Sequence, residues 1–587
     1  MGFLKPDLPQ IDMAEWSKGT RSEKIRPMAE HWAEVGFGTP VALHLFYVVK
    51  IALYILGGWL FALATKGIDG FTAVGSWWSE PIVFEKVVLY TLLFEVIGLG
   101  CGFGPLNNRF FPPLGSILYW LRPGTIRLPP WPGRVPLTKG TARTAVDAAL
   151  YAALLVMTAW ALFSDGTGPV PELGTTVGLL PGWQIWVVLG LLAVLGLRDK
   201  VIFLAARGEV YATLTVTFLF GGVDMIVAAK MVFLVIWMGA ATSKLNKHFP
   251  FVISTMMSNN PLVRPRTLKR RFFENFPDDL RPGRPSRILA HISTAIEMCV
   301  PVALFFCHAG WPTAVAAFVM VCFHLGILVA IPMGVPLEWN VFMIFGVLSL
   351  FVAHAGMGLS DLKHPVPVAI LFVVTGGTVA LGNLFPRKIS FLPGMRYYAG
   401  NWDTTLWCIK PSANEKIANG IVAIASMPAA QLERFYGSPE AAQIPIYMGY
   451  AFRGFNTHGR ALFTLAHRAM AGQNEDSYII TDGERICSTA IGWNFGDGHM
   501  HNEQLIAAMQ ERCGFEPGEV RVVLLDAQPI HHQTQAYRLV DAATGEFERG
   551  YLRVADMVTR QPWADDLPVH VCESSGTAVG EVDQPRD

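Results

Sequence analysis

The sequence predicts a polytopic α-helical membrane protein of about nine or ten passes, followed by a soluble α+β domain. Three observations predict this class. The 587 residues are 52% hydrophobic and only 16% charged, whereas soluble proteins carry about 25% charged residues. Apolar runs of spanning length recur up to residue 386. Beyond residue 390 the charge rises and the long apolar runs stop. The net charge is zero, so no basic excess indicates a nucleic-acid partner.

We divide the chain into four predicted segments. They are a polar N-terminal segment (1–40), a transmembrane helical bundle (41–386), a soluble α+β domain (387–572) and a disordered tail (573–587). In the first segment, residues 13–35 predict an amphipathic helix on the membrane surface, with Trp16, Met28 and Trp32 as anchors. An ordinary polar leader helix is the alternative.

The bundle is predicted from apolar runs of about 20 residues, the length that crosses a bilayer. They lie at 41–65, 82–104, 142–164, 286–308, 312–333, 339–357 and 366–386. A longer tract at 183–243 contains a clear pass at 222–243. Its pieces at 183–198 and 201–221 predict either two short spans or one broken or re-entrant helix, which needs protein or a cavity around it.

Charged loops predict the topology, because cytoplasmic loops carry an excess of Lys and Arg. Residues 105–140 and 245–287 are strongly basic, whereas 165–182 contain Asp165 and Glu172 and no basic residue. Three crossings in the 183–243 tract place both basic segments and the tail inside, and two crossings place 245–287 and the tail outside. We favour ten passes in the plasma membrane with a cytoplasmic C-terminal domain.

The C-terminal domain is predicted from alternating apolar segments, which are typical of strands. The predicted strands are IVAIASM (421–427), QIPIYMGYAF (443–452), SYIITDGERICSTAIGW (477–493) and EVRVVLLDA (519–527). QLIAAMQERC (504–513) predicts a helix, and VDAATGEFERGYLRV (540–554) predicts a hairpin with a Thr-Gly turn.

Ionisable side chains inside spans are candidates for function, since each costs several kcal/mol unless it is paired or hydrated. Here they are His44, Lys50, Glu95, Asp147, Asp224, Lys230, Glu297, His324 and His354. Asp224 and Lys230 are six residues apart, roughly 120° away from a common helix face, so we expect each to pair with another helix. Structural ion pairs that fix helix packing are the alternative.

Lys244 follows the apolar stretch 222–243. A lysine at a helix end commonly extends its ammonium to the lipid headgroups. It can act as a base only if the fold covers it, because burial disfavours the charged form. Lys230 meets the burial condition better on depth alone.

The stretch Gly239-Ala-Ala-Thr-Ser-Lys244-Leu245 resembles the Gly-x-x-Lys-Leu segment of the vitamin K-dependent gamma-carboxylases and their bacterial relatives, the horizontally transferred transmembrane domain (HTTM) proteins. The resemblance continues through Asn259-Asn260-Pro261, Ile296-Glu297, Phe323-His324 and Asn340, and covers 209–354.

This resemblance implies that Lys244 handles the proton during oxygenation of a reduced naphthoquinone, and that Glu297, His324 and Asn340 surround that cofactor. The true carboxylases have a histidine on the preceding span, where this chain has Arg207-Gly208-Glu209. That departure, and the lack of a recognisable propeptide-binding region, put peptide carboxylation in doubt.

A second cluster, His499-Met500-His501, lies in the C-terminal domain. On a strand, His-x-His places both imidazoles on one face, as some metal sites require, and His531-His532 could add a third ligand. Gly496-Asp497-Gly498 is equally an ordinary turn. Because the carboxylate pattern of a metal site is missing here, we do not expect a metal cofactor.

We therefore expect a membrane-embedded, quinone- or lipid-linked enzyme of the carboxylase or epoxidase type. Its candidate catalytic residues are Lys244, Glu209, Lys230 and Asp224. The expected partners are membrane lipids, an apolar small molecule and a protein bound through the C-terminal domain. The alternative is a non-enzymatic transporter or a lipid-handling or assembly component.

Overall fold

The computed structural model describes residues 2–101, 115–330, 337–470, 473–493, 495 and 497–574. The predicted disordered tail lies almost entirely outside these residues. Up to residue 270 the helices are α1 (Met13–Trp16), α2 (Arg21–Val35), α3 (Val41–Leu63), α4 (Val74–Trp77), α5 (Pro81–Val96), α6 (Gly115–Trp120), α7 (Ala145–Phe163), α8 (Gly182–Arg198), α9 (Lys200–Ala205), α10 (Tyr211–Thr217), α11 (Gly222–Ser243), α12 (Phe249–Asn259) and α13 (Arg266–Arg270).

The bundle is completed by a short hairpin and four further helices. These elements are β1 (Phe273–Asn275), β2 (Asp279–Pro282), α14 (Arg284–Phe306), α15 (Gly310–Ala330), α16 (Leu337–Gly346), which continues as a π-helix over Val347–Ala353, and α17 (Pro365–Leu384). The C-terminal region contains β3 (Thr404–Ile409), α18 (Pro411–Gly420), α19 (Pro428–Tyr436), α20 (Pro439–Phe455), α21 (Thr457–Ala469), β4 (Ile479–Asp482), α22 (Gly483–Ala490), α23 (Glu503–Cys513), β5 (Val520–Leu525), β6 (Thr534–Asp541), β7 (Gly545–Arg553), α24 (Val554–Thr559) and β8 (His570–Ser574).

Six of the described helices are long and apolar enough to cross a membrane: α3, α7, α11, α14, α15 and α17. Two shorter apolar helices are α8 and Leu337–Ala353. The prediction of a polytopic membrane protein is thus confirmed. Large apolar side chains such as Val48, Leu53 and Val373 are more than half exposed, as expected of helix faces that contact lipid.

Helix α11 is the centre of the bundle. In its most apolar window 78% of the residues are buried, against 17% in α17 and 28% in α3. It packs against α10, α14 and α17. Every polar group on this helix must therefore find its partner in the protein rather than in water.

The ambiguous tract before α11 contains one unbroken helix, α8, and one broken helix. Residues 201–221 form α9 and α10, which are separated by a tight turn at Arg207, where φ is +52°. Arg207, Val210 and Tyr211 are almost completely buried. The broken backbone is thus enclosed by protein, the condition for its survival at membrane depth.

Contacts between loops define two ends of the bundle. At one end the C-terminal domain meets α6 and α12: Trp120 Nε1 donates to Ile491 O (3.0 Å), and His248 Nε2 lies 2.8 Å from Gln528 Oε1. At the other end the loop after α7 meets the end of α3, where Lys66 N donates to Asp165 Oδ1 (2.7 Å). The described basic segments and the C-terminal domain therefore share one end, and the acidic loop lies at the other.

The C-terminal sheet is antiparallel, with strand order β4-β3-β5-β6-β7-β8. The strand at 519–527, the helix at 504–513 and the hairpin are confirmed. The strand prediction for 443–452 is wrong because this stretch belongs to α20, and 421–427 forms no strand. In 477–493 only Ile479–Asp482 is a strand, and α22 follows it. Short apolar runs have the same composition in a buried helix as in a strand.

The N-terminal helix packs on protein. Met28 and Trp32 have no exposed surface, and the Trp32 ring lies 5.3 Å from the Phe452 ring of α20, while Trp16 lies 5.1 Å from Tyr447. The expectation that these residues anchor the helix to the membrane surface is therefore wrong. Their apolar stripe is real, but the C-terminal domain covers it instead of lipid.

A charged cluster fastens this N-terminal helix to the C-terminal domain. Arg21 Nη1 lies 3.0 Å from Glu475 Oε1, and His467 contacts both Glu475 (2.9 Å) and Asp565 (3.2 Å). Hydrogen bonds to Asp565 and Glu475 raise the pKa of His467 to about 9.

We expect the cluster to make stability depend on pH. Because the folded-state pKa of His467 is raised, its contribution is complete below its unfolded pKa of about 6.5 and is lost as pH rises through about 9. Thermal unfolding of the full chain in detergent at pH 6.5 and 9.5 measures this loss. His467→Gln should reduce the pH dependence, and His531→Gln, at an exposed site, should not. An unchanged pH dependence in His467→Gln would contradict the assignment.

Candidate functional site

An apolar cavity lies where α11, α14, α15 and α16 meet the start of the C-terminal region. Its walls include Ile236, Trp237, Phe323, Trp339, Met343, Tyr397, Tyr398 and Phe495. Besides two tyrosines, its ionisable lining residues are Arg207, Lys244, Glu297 and His324. Four of the sequence-predicted site residues, Lys244, Glu297, His324 and Asn340, line this one cavity.

Lys244 caps the C-terminal end of α11 and faces Glu297 of α14. Its Nζ forms an ion pair and hydrogen bond with Glu297 Oε2, and the two side chains are only 8% and 6% exposed. The ammonium also lies 5.4 Å from the centre of the Phe249 ring. The fold therefore covers Lys244, and the lysine does not reach out to the headgroups.

His324 is held by hydrogen bonds at both ring nitrogens. Trp237 Nε1 donates to His324 Nε2 (3.1 Å), and His324 Nδ1 lies 3.0 Å from Asn340 Oδ1. Because an indole N–H can only donate, Nε2 must be the accepting nitrogen, and Nδ1 carries the proton that Asn340 accepts. This chain joins α11, α15 and α16 around the cavity and fixes the imidazole in its neutral form.

Arg207 closes another side of the cavity. Its guanidinium lies 4.7 Å from the Trp339 ring centre and 5.3 Å from those of Tyr397 and Phe495. Glu209, one of the predicted catalytic residues, accepts a 2.6 Å hydrogen bond from Arg207 Nε. Glu209 therefore orients Arg207 and does not itself line the cavity.

Lys230 and Asp224 lie elsewhere along α11. Lys230 Nζ donates to the carbonyls of His354 (2.8 Å) and Met357 (2.6 Å), while Asp224 accepts the backbone N–H groups of Lys363 and His364. They pair with other segments and not with each other, as expected. Asp224 is about 30 Å from Lys244 along the helix. Asp224 and Lys230 therefore do not belong to the cavity.

A second, more polar pocket adjoins the first at the junction with the C-terminal domain. Its lining includes Lys244, Lys247, His291, Thr294, Asn383, Asn401 and Gln528. Lys244 and Phe249 line both spaces. Lys244 therefore stands between an apolar chamber inside the bundle and a polar one at its edge.

The two histidines of the His-x-His pattern have separate partners. Burial lowers the pKa of His499, but the carboxylates of Asp403 and Asp497 outweigh it, so the net direction is upward. His501 lies 2.7 Å from Thr405 Oγ1, and burial lowers its pKa to about 4. Within the described part of the chain, neither joins a cluster of metal-ligating side chains. The two imidazoles thus contribute to separate polar contacts near the start of β3.

Sequence reasoning missed three residues of the cavity: Arg207, Trp237 and Tyr397. Trp237 was visible only as one of many apolar residues on α11. Tyr397 lies beyond the last span, where no pattern in the sequence indicates a contact with the cavity. Arg207 was indicated only as part of the Arg207-Gly208-Glu209 departure from the carboxylase pattern, although a charged residue inside an apolar tract is a signal for a buried partner.

The fold and site define a multi-span membrane protein with a ligand-sized cavity between its bundle and a sheet-containing domain. Over residues 1–572 the chain matches a family described as transmembrane proteins of unknown function (DUF3556), and it belongs to this family. No curated protein and no solved structure matches the chain.

The family match overturns the resemblance to the gamma-carboxylases and HTTM proteins over 209–354. A lysine after an apolar helix and single polar residues in later helices are frequent in membrane proteins, so the short pattern was not specific. The carboxylase and epoxidase activities that rested on it are withdrawn.

We expect the loss of either Lys244 or Glu297 alone to lower the stability of the protein, and the loss of both to lower it much less. Glu297→Gln leaves a buried ammonium without its counter-charge and should cost about 3–5 kcal/mol, as should Lys244→Met. The free energy of unfolding in mixed micelles measures both losses of stability. The double variant should recover most of the loss, whereas a loss equal to the sum of the single variants would contradict the pairing. Exposed Lys247→Met is the control and should change little.

Proposed function

We propose that this protein binds an amphiphilic, lipid-like molecule, such as a membrane lipid or a quinone, at the junction of the bundle and the C-terminal domain. The observation that carries the proposal is the shared position of Lys244, which lines both the apolar cavity and the polar pocket. An amphiphile needs these two environments side by side.

The apolar cavity suits the hydrophobic part of such a molecule. Its volume of about 100 Å³ accommodates a few methylene groups, since it is smaller than a cavity of about 150 Å³ that holds benzene. Its aromatic walls and few oriented polar groups are typical of small-molecule sites. The rest of a long molecule must extend out of the cavity.

The polar pocket suits the head group of the proposed amphiphilic molecule. Its volume is about 390 Å³, and Lys244, Lys247 and His291 are the ionisable residues that line it. Amide groups of Asn383, Asn401 and Gln528 add donors and acceptors. A head group with anionic or carbonyl oxygens would find cationic and amide donors there.

Between the two activities considered, lipid handling is better supported than proton abstraction by Lys244. The Lys244 ammonium is held by Glu297, and both ring nitrogens of His324 are hydrogen-bonded. Among the described Lys, Arg, Glu and His residues of the apolar cavity, the remaining one is Arg207, which is not a base. The geometry thus favours anchoring of a head group over base catalysis.

Ligand retention tests this function. The full chain is released from nanodiscs of phosphatidylglycerol and phosphatidylethanolamine doped with a long-chain naphthoquinone, and bound molecules are identified by native mass spectrometry. The original chain should retain an amphiphile. Ala240→Phe, which fills the cavity, should abolish retention. Lys244→Met should weaken binding roughly ten-fold or more, the effect of losing a charged hydrogen bond.

Lys388→Met is the matched control, because Lys388 is exposed and lies outside both cavities. Equal retention by the original chain and Ala240→Phe would reject the site. Conversion of the bound molecule during incubation, abolished by Lys244→Met, would favour an enzyme instead.

We further propose a ten-pass topology in the plasma membrane with the C-terminal domain in the cytoplasm. The support is that α8, the broken α9–α10 pair and α11 connect alternate ends of the bundle, which supplies the three crossings that the basic loops require. The passes α5 and Leu337–Ala353 are shorter than 20 residues, and protein surrounds α5.

Thiol labelling tests this orientation, because Cys572 is exposed in β8. A membrane-impermeant maleimide should label Cys572 only after the cells are opened. In a Cys572→Ser background, Thr167→Cys, at an exposed position in the acidic loop, should be labelled in intact cells. Labelling of Cys572 in intact cells would reverse or reject the proposed topology.

A further inference from the structure

A second buried cluster lies behind Arg207, outside both pockets. It consists of Glu95 at the end of α5, Cys101 just after it, and Glu338 near the start of α16. One ligand atom from each residue lies within 4.8 Å of the others, and all three residues are buried. We propose that these residues bind a divalent transition-metal ion of the zinc class.

The local backbone holds one carboxylate in place. Cys101 N donates to Glu95 Oε2 (2.8 Å), so the chain turns back onto the side chain six residues earlier. A Cβ at Gly100 would lie 2.1 Å from that oxygen, so a side chain at this position would displace the Glu95 carboxylate. The turn places the Cys101 thiol and the Glu95 carboxylate side by side.

Each of the two carboxylates in the cluster has an oxygen without a hydrogen bond from the described residues. Glu95 Oε1 and Glu338 Oε1 accept none from the residues that the structure describes, although both side chains are almost completely buried. Buried polar atoms are normally satisfied. A cation between the two carboxylates would supply the missing partner. Acidic clusters on a protein surface need no such cation, because water solvates them.

The charges of the surrounding groups also favour a divalent ion. Lys50 Nζ lies 3.2 Å from Glu338 Oε2, and Arg207 contacts both Cys101 Sγ (3.2 Å) and Glu209. These two cations face three carboxylates, which leaves one negative charge in excess. A divalent ion adds two positive charges and displaces the thiol proton of Cys101 to solvent, and the cluster is then neutral. The competing explanation is a single proton shared by Glu95 and Glu338, which would also neutralise the excess negative charge.

The donor set selects the class of metal. One thiolate and two carboxylates suit a borderline-soft ion, whereas Mg²⁺ and Ca²⁺ prefer oxygen alone. Bond lengths of about 2.0–2.3 Å place tetrahedral ligand atoms roughly 3.4–3.8 Å apart, so the side chains need to close by about 1 Å. Three protein ligands leave a fourth position open.

This cluster adjoins the apolar cavity through shared residues. Glu338 directly precedes Trp339 and Asn340, which line the cavity, and Arg207 stands between the two sites. The metal site does not depend on the proposed lipid-like ligand, so its test needs no such ligand.

Cobalt binding provides the experiment. The full chain is purified in detergent without a polyhistidine tag, its metal content is measured by mass spectrometry, and Co²⁺ is then added to the metal-free protein. We expect tight binding of one ion per chain and a near-ultraviolet thiolate-to-cobalt charge-transfer band. Cys101→Ser should lose this band, and Glu338→Gln should weaken Co²⁺ binding at least ten-fold.

Cys299→Ser is the control, because Cys299 is an exposed thiol on α14 and its loss should leave the band unchanged. If a variant at the cluster fails to fold, the presence or absence of the charge-transfer band in the original chain decides whether the metal site exists. Absence of the band at saturating Co²⁺ would overturn the site and favour a shared proton. A band that persists in folded Cys101→Ser would also overturn it.

Discussion

The structure depends on satisfying the charged side chains of a central helix that protein surrounds almost completely. Water reaches little of α11, so Asp224, Lys230 and Lys244 each need a partner from another segment. Asp224 binds the backbone before α17, Lys230 binds carbonyls after α16, and Lys244 binds Glu297 of α14. These contacts tie α11 to its neighbours at three heights and set the orientation of the helices around it.

The same requirement explains the broken helix. Arg207 lies at the break between α9 and α10, where it contacts Glu209, Cys101 and the aromatic rings of the cavity. In an unbroken helix Arg207 and Glu209, which are two residues apart, would lie on nearly opposite faces and could not pair with each other. The break therefore places a cation between the apolar cavity and the buried Glu95–Cys101–Glu338 cluster. Both candidate sites depend on this one guanidinium.

Much of the site could be predicted from the sequence, and the reason is physical. Charged or strongly polar residues are costly inside apolar runs. This cost distinguishes Glu297 and His324 from their apolar neighbours, whereas Lys244 and Asn340 were indicated by the resemblance that the family match overturns; the fold brings the four to one cavity. The same argument selected Asp224 and Lys230, which serve other contacts, because depth in a span does not reveal which helix lies opposite. The family assignment failed for a related reason: short motifs of one lysine and a few polar residues arise in unrelated bundles.

The sequence by itself determined the class of protein, most of its membrane segments and the presence of a sheet-containing C-terminal region, because hydrophobic length and charge content are properties of the chain. Tertiary structure decided what covers each apolar face. The stripe of Met28 and Trp32 looked suited to lipid, yet it packs on α20, and the apolar run at 443–452 became a helix instead of a strand. Burial against protein and burial against lipid demand the same side chains, so only the positions of the neighbouring elements distinguish them. The covering of Lys244 by Glu297 and Phe249 was decided in the same way.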